Sequence, residues 1–147
     1  MDLVSPTFQM EVKTFPEAST SLTALLHAGS QRKQYRRIKP EAFQNRSVLL
    51  ATFLNLLDLA EGTTGLDKLG IFMHSKIYYL LRLHCSDAIS IEHHDPDKGY
   101  SGTFLGHRFY AHPRIRRNTI IVGGTKGDDT TCIIGTTNPD SEQTVIL

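Results

Sequence analysis

The sequence predicts an α+β protein, a single domain in which two helices pack on one face of an antiparallel sheet. Three observations support this prediction. A segment near the N-terminus alternates apolar and polar residues, residues 40–61 are apolar at helical spacing, and strand-like runs separated by turn residues fill most of the second half. Strand, helix, helix and then several strands is an order typical of this class. We expect the domain to cover residues 1–135 and a C-terminal tail to cover residues 136–147.

One strand and one helix are predicted in the first 28 residues of the chain. From Thr7 to Phe15 apolar and polar residues alternate, as in a strand with one buried face. From Glu17 to Ala28 alanine and leucine recur at helical spacing, and Gly29 provides the stop. These elements give the predicted first strand and first helix.

The segment from Pro40 to Glu61 is predicted to be one long helix. Pro40 suits the first helical position, because its missing N–H would be unpaired there, and Gly62 suits a left-handed C-cap. Apolar residues occupy most of the helical circumference. This is typical of a core helix or of a helix with a partner on its second side.

The remaining elements are predicted to be strands. Ile71–Cys85 is rich in Tyr, Ile and Leu, which favours a strand, with a helix as the alternative. Ile89–His94 and Tyr100–Tyr110 flank turn residues, and Thr119–Val122 and Thr130–Ile134 form a last hairpin. The glycine-rich link of this hairpin, GGTKGDD, lacks the order of a phosphate-binding loop and is interpreted as a turn.

The composition limits the class of protein. The chain has 147 residues, 39% apolar and 21% charged, which is enough for one globular domain. The net charge is only +1, so bulk charge does not indicate a nucleic-acid-binding protein. Cys85 and Cys132 are too few for a disulfide framework and fit no zinc spacing. The sequence therefore predicts neither a structural metal nor a cofactor.

The location of the protein is predicted from three features. The start MDLVSPTFQMEV has neither the basic nor the apolar region of a secretory signal. The apolar run Val48–Ala60 is shorter than the roughly 20 residues that span a bilayer. Low cysteine usage fits a reducing compartment. We expect an intracellular, cytoplasmic protein that associates with membranes only peripherally.

Two basic segments concentrate the positive charge. We expect the first, residues 31–39, to link the two helices or to fray from the second one. The second, residues 107–117, contains no acidic residue. Lys and Arg contribute about 1 kcal/mol each near an anionic membrane, and phosphate contacts give steep salt dependence. Tyr35 and Tyr110 lie within reach of stacking on bases, whereas the alternative is that both segments are solvated loops. The predicted anion-binding residues are Arg32, Lys33, Arg36, Arg37, Lys39, Arg108, Arg114, Arg116 and Arg117.

Histidines provide a competing hypothesis, because five of them lie between residues 84 and 112. A catalytic or metal site in this region would use His93, His94, Asp95 and His107. A two-residue turn at Asp97-Lys98 would place His93 opposite Gly102 and His107 opposite Ala88. Alternation would then assign the two imidazoles to opposite faces of the sheet. The pattern therefore favours solvent-facing strand histidines.

Three stretches resemble the matrix proteins of negative-strand RNA viruses, in particular those of the rhabdovirus type. They are the strand and helix FQMEVKTF and EASTSLTALLHA, the apolar-aromatic run KIYYLLRL, and GHRFYAHPR. The resemblance covers about a third of the chain and lacks a PPxY segment, a lysine-rich N-terminal arm and a long final helix. It implies a self-associating protein on the inner face of a membrane, in contact with a nucleocapsid and without catalysis.

The sequence thus favours a non-enzymatic structural or interaction protein. It would bind phosphates of RNA or of lipid headgroups through its basic segments, and it would self-associate. The first alternative is a small His-dependent hydrolase or nuclease, with or without a metal. The second is an adaptor or inhibitor that uses the apolar circumference of Pro40–Glu61 as its protein interface.

Overall fold

The computed structural model describes residues 30–64, 69–95, 99–126 and 129–138. The predicted strand Thr7–Phe15 and helix Glu17–Ala28 lie outside these residues. Within them, strands and helices alternate before a run of strands. The elements are β1 (Ser30–Arg37), a 3₁₀ turn (Pro40–Phe43), α1 (Arg46–Thr64), β2 (Gly70–Met73), α2 (Ser75–His84), β3 (Ile89–Asp95), β4 (Gly99–Phe104), β5 (His107–Ala111), β6 (Thr119–Lys126) and β7 (Asp129–Thr136).

The described strands form one mixed sheet in the order β1-β7-β6-β2-β5-β4-β3. The α+β class is therefore confirmed, but the prediction of a wholly antiparallel sheet is wrong. β1 pairs with β7 and β2 pairs with β5 in parallel, while the other neighbours are antiparallel. Hairpins impose antiparallel pairing, whereas strands far apart in the chain are free to pair in parallel. Both parallel pairs here join strands that are separated by helices.

Both described α-helices pack on the same face of the sheet, although only α1 corresponds to a predicted helix. Phe53 of α1 meets Phe104 of β4 edge to face, with the ring centroids 4.8 Å apart. Tyr78 of α2 stacks on Tyr100 of β4 at 4.4 Å. The opposite face is also buried, with Phe72 and other side chains on β5, β6 and β7 excluded from solvent. The sheet is thus buried on both faces across its centre.

The predicted helix from Pro40 to Glu61 is interrupted. Pro40 opens a 3₁₀ turn that ends at Phe43, and α1 begins only at Arg46. Asn45 causes the new start, because its side-chain oxygen accepts hydrogen bonds from the backbone N–H groups of Ser47 (2.8 Å) and Val48 (3.2 Å). This is the N-cap geometry that asparagine favours.

The strand predicted for Ile71–Cys85 is wrong beyond Met73. The chain leaves β2 at His74, whose ring Nδ1 accepts a hydrogen bond from the backbone N–H of Lys76 at 3.0 Å and so caps α2. Burial of Ile77, Tyr78 and Leu81 follows helical spacing. Alternating large apolar residues concealed this period, because the exposed side of α2 also carries Tyr and Leu.

The other β predictions vary in outcome. Residues 31–37, expected to link helices, instead form most of β1. The run Tyr100–Tyr110 is divided into β4 and β5 by a turn in which Leu105 and Gly106 adopt positive φ. The last hairpin is confirmed as β6 and β7, and β7 runs to Thr136.

Candidate anion-binding surface

The two basic segments reach the same end of the sheet. Arg37, the last residue of β1, is in register with Thr136 of β7, and Thr136 is in register with Thr119, the first residue of β6. The loop of the second segment ends immediately before Thr119. Two strand spacings of about 4.8 Å therefore separate the backbones at this level, roughly 10 Å in all.

The first segment supplies exposed cations at the end of β1. Arg36, Arg37 and Lys39 are exposed, whereas Ile38 between them is 3% exposed and belongs to the core. The buried isoleucine fixes the chain, and its backbone N–H bonds the carbonyl of Thr136 at 2.8 Å. The cationic side chains are thereby held on a rigid support. Arg32 and Lys33 lie in β1, but their side chains are outside the described part.

The second segment supplies the loop between β5 and β6. Arg114 and Arg117 are exposed and Arg116 is half-exposed, while Ile115 is 1% exposed and anchors the loop. Between His112 and Asn118 the sequence HPRIRRN contains three arginines and no acid. The loop therefore presents its positive charge outward from an apolar anchor, as the first segment does.

The loop is also organised by its own hydrogen bonds. The backbone N–H of Arg114 donates to Nδ1 of His112 at 3.0 Å, and that of Ile115 donates to the His112 carbonyl at 3.2 Å. The Thr119 hydroxyl donates to the carbonyl of Arg117 at 3.0 Å. These contacts fix the backbone from which the arginines project.

His74 is a residue of this region that the sequence did not reveal. It is 6% exposed, at the end of β2 and next to the second segment. Burial lowers the pKa of His74, because it disfavours the charged imidazolium, and the cations Arg117 and Lys76 lower it further. A hydrogen bond with the Pro113 backbone opposes this effect. The pair His74-Ser75 could have indicated the start of a helix, but the incorrect assignment of this stretch to a strand concealed it.

Arg108 does not join the surface. It is in register with Gly70 and Thr103, three residues before the end of β5 at Ala111, where the loop of the second segment begins. Its guanidinium forms an ion pair with Glu92. Tyr110 is fully buried, so its ring is not placed to stack on a base, whereas Tyr35 is 39% exposed. Of the predicted anion-binding residues with described side chains, the structure thus brings together those at the end of β1 and those in the β5–β6 loop.

The candidate histidine site does not converge. A β-bulge between Ile91 and His93 shifts the register, so that His93 lies opposite Ser101 and not Gly102. His107 lies opposite Phe104 and not Ala88. Ser101 and Phe104 are three residues apart on β4, so the two imidazoles lie on opposite faces of the sheet. The sequence predicted opposite faces too, but from a register that differs from the observed one.

The other members of that candidate site are also dispersed. His94 lies opposite Tyr100, four residues along β4 from the His107 level, or roughly 13 Å at 3.3 Å per residue. Its Nδ1 lies 3.4 Å from the Tyr78 hydroxyl and 3.4 Å from a nitrogen of Arg82. Asp95 ends β3, opposite Gly99. In the described residues, no three His, Cys, Asp or Glu side chains are grouped so as to hold a metal ion.

The two cysteines are buried, and neither is in a disulfide. Burial raises the pKa of the Cys85 thiol, which disfavours the reactive thiolate. Cys132 is fully buried in β7. Both behave as apolar side chains of the interior.

Comparisons of the chain with protein families, curated proteins and solved structures give no match. Among the helices of the described residues, none combines the length and the apolar character needed to span a bilayer. The function proposed below is therefore based on the positions of the charged side chains in the structure.

Proposed function

We propose that this protein is a non-enzymatic structural or interaction protein that binds phosphate groups at the basic end of its sheet. The observation that carries the proposal is the register of Arg37, Thr136 and Thr119, which brings both basic segments to one end. The phosphates would belong to RNA or to lipid headgroups, since both present the same anion. The basic end is defined as Arg36, Arg37, Lys39, Arg114, Arg116 and Arg117.

The chemistry of the basic end supports phosphate as the ligand. Five of its six cations are arginine, whose planar guanidinium binds phosphate with two parallel hydrogen bonds. Exposed cations attract polyanions by releasing condensed counterions, so binding would be steeply salt-dependent. A chain with net charge +1 can attract a polyanion only if its cations are concentrated in one place. The proposal therefore depends on their placement.

Self-association remains part of the proposal. Among the described residues, β1 and β3 each have only one neighbouring strand, so they are the two edge strands of the described sheet. An edge strand presents backbone N–H and C=O groups that can pair with an edge strand of a second copy. The resemblance to matrix proteins implies that such assembly takes place at a membrane or nucleocapsid, and we include this matrix-like role in the proposal.

The hydrolase alternative is not favoured by any geometry in the described residues. His93, His94, Asp95 and His107 would have to meet around one point, and the register of β3, β4 and β5 separates them. The adaptor alternative fares no better on α1, because Leu49, Phe53 and Leu56 point into the core. Phosphate binding at the basic end is the better-supported function.

Reversing two charges tests the proposal. Arg36→Glu/Arg37→Glu should abolish binding to a single-stranded RNA oligonucleotide and to anionic phospholipid vesicles, because phosphate is then repelled. Since both side chains are exposed, the melting temperature should stay within about 2 °C of wild type. Wild-type protein that binds neither ligand at low salt would refute the proposal.

A further inference from the structure

A pocket adjoins the basic end of the sheet. It has a volume of about 230 Å³ and lies between the end of β1, the 3₁₀ turn and α1. Its rim includes Arg36, Arg37 and Lys39. The remaining lining is mostly apolar: Ile38, Ala42, Val48, Leu56 and Leu59, with Thr52 and Asn55. The pocket thus joins a cationic rim to an apolar floor.

The floor is a rigid part of the core. Ile38 and Leu56 close over Gly135 of β7, where an added Cβ would lie 2.8 Å and 3.0 Å from their terminal methyl groups. Both side chains are 3% exposed. Val48, on the first turn of α1, is 40% exposed beside them. The pocket is consequently preformed at its base and open at Val48.

Simple phosphate binding does not explain this floor. Phosphate is bound by cations and N–H groups, whereas an apolar floor next to them stabilises a ligand that also carries hydrocarbon. The volume lies below the 300–1,000 Å³ typical of sites that enclose a small molecule. It therefore suits one part of a ligand, the junction between an anionic group and an alkyl chain.

We propose that this pocket binds an amphiphilic anion, with its phosphate or carboxylate at Arg36 and Lys39 and the first carbons of its chain against Val48 and Leu59, above the buried Ile38 and Leu56. The inference rests on the proposed function and extends it from phosphate to a lipid-like ligand. The guanidinium of Arg36 donates one hydrogen bond to the Gln34 side-chain oxygen at 2.9 Å, and its other N–H groups can bind the anion. The source of the ligand is either a free amphiphile or a lipid within a bilayer.

The test uses decyl phosphate below its micelle concentration, with inorganic phosphate and a neutral decyl glycoside as comparison probes. Val48→Phe fills the mouth of the pocket without adding a side chain to the core. It should weaken decyl phosphate binding about tenfold, the loss expected for roughly two buried methylene groups. Binding of inorganic phosphate and RNA should be unchanged. Lys39→Gln should weaken binding of all three anions.

Leu54→Phe is the matched control. Leu54 is on the same helix, is 53% exposed and does not line the pocket, so this variant should bind decyl phosphate like wild type. Equal binding by Val48→Phe and wild type, or equal affinity for the neutral glycoside, would overturn the pocket proposal while RNA binding upholds the proposed function. Loss of anionic vesicle binding in Val48→Phe identifies a bilayer lipid as the source, and retained vesicle binding identifies a free amphiphile.

Discussion

Arg37 and Thr119 occupy the same level of the sheet, on either side of Thr136. The two residues are 82 positions apart in the chain, yet parallel pairing of β1 with β7 and the final hairpin bring them together. The relationship explains how a nearly neutral protein acquires a strongly cationic end. It also makes both basic segments dependent on one architectural feature, the β1–β7 pair.

Gly102→Ala should disrupt the sheet more than the same change at Gly135. A Cβ at Gly102 would lie 1.9 Å from the backbone oxygen of Ser90, so two strands would have to separate. We expect a loss of about 3 kcal/mol or more in the free energy of unfolding, measured by urea titration. Gly135→Ala is the comparison, because it meets only side-chain ends of Ile38 and Leu56. A smaller loss for Gly102→Ala than for Gly135→Ala would contradict this account of the β3–β4 pair.

Asn45→Ala should cost about 1 kcal/mol of stability, because it removes the acceptor for the N–H groups of Ser47 and Val48 at the start of α1. Asn55→Ala is a matched control in the same helix. Asn55 is exposed in the helix interior, where alanine has the higher propensity, so this change should be neutral or slightly stabilising. Thermal unfolding of both variants provides the measurement. Equal effects would show that Asn45 does not begin the helix.

Stability should fall on acidification because of His74. Its pKa is lowered in the folded protein, mainly by burial, so the unfolded chain binds a proton more readily below the ordinary pKa of about 6.5. The free energy of unfolding should therefore decrease as pH falls below about 6.5 and level off below the folded pKa. Each unit of lowering corresponds to about 1.4 kcal/mol.

His74→Asn isolates this contribution, because asparagine keeps an N-cap acceptor for α2 but does not titrate in this range. Urea titrations of both proteins between pH 5 and pH 8 should show a flatter profile for the variant. A variant profile as steep as that of wild type would assign the acid sensitivity to other groups.

The sequence predicted the helical character of α1 and the final hairpin because each has a local signal. The helical period marks α1, and turn residues mark the hairpin. At Asn45 and His74 the local signal was misread, because both residues cap the start of a helix that was predicted elsewhere or as a strand. The mixed sheet could not be predicted, since no local pattern states that β1 pairs with the last strand. For the same reason, a common surface for the arginines of both segments was a hypothesis that no local pattern in the sequence could establish. The pocket was equally hidden, because Ile38, Val48 and Leu56 meet only after α1 packs over Gly135.

The central claim is that the two basic segments form one phosphate-binding surface, and salt-dependent RNA binding tests it most directly. Affinity for a single-stranded oligonucleotide should be measured across salt concentration for Arg37→Gln, Arg117→Gln and the double variant. Arg108→Gln serves as a control of equal charge change, because Arg108 is paired with Glu92 away from the basic end. If each arginine contacts a phosphate, each single variant should reduce the slope of log affinity against log salt by about 0.7, and the double variant by about 1.4. A slope that Arg37→Gln or Arg117→Gln leaves unchanged would contradict a shared surface.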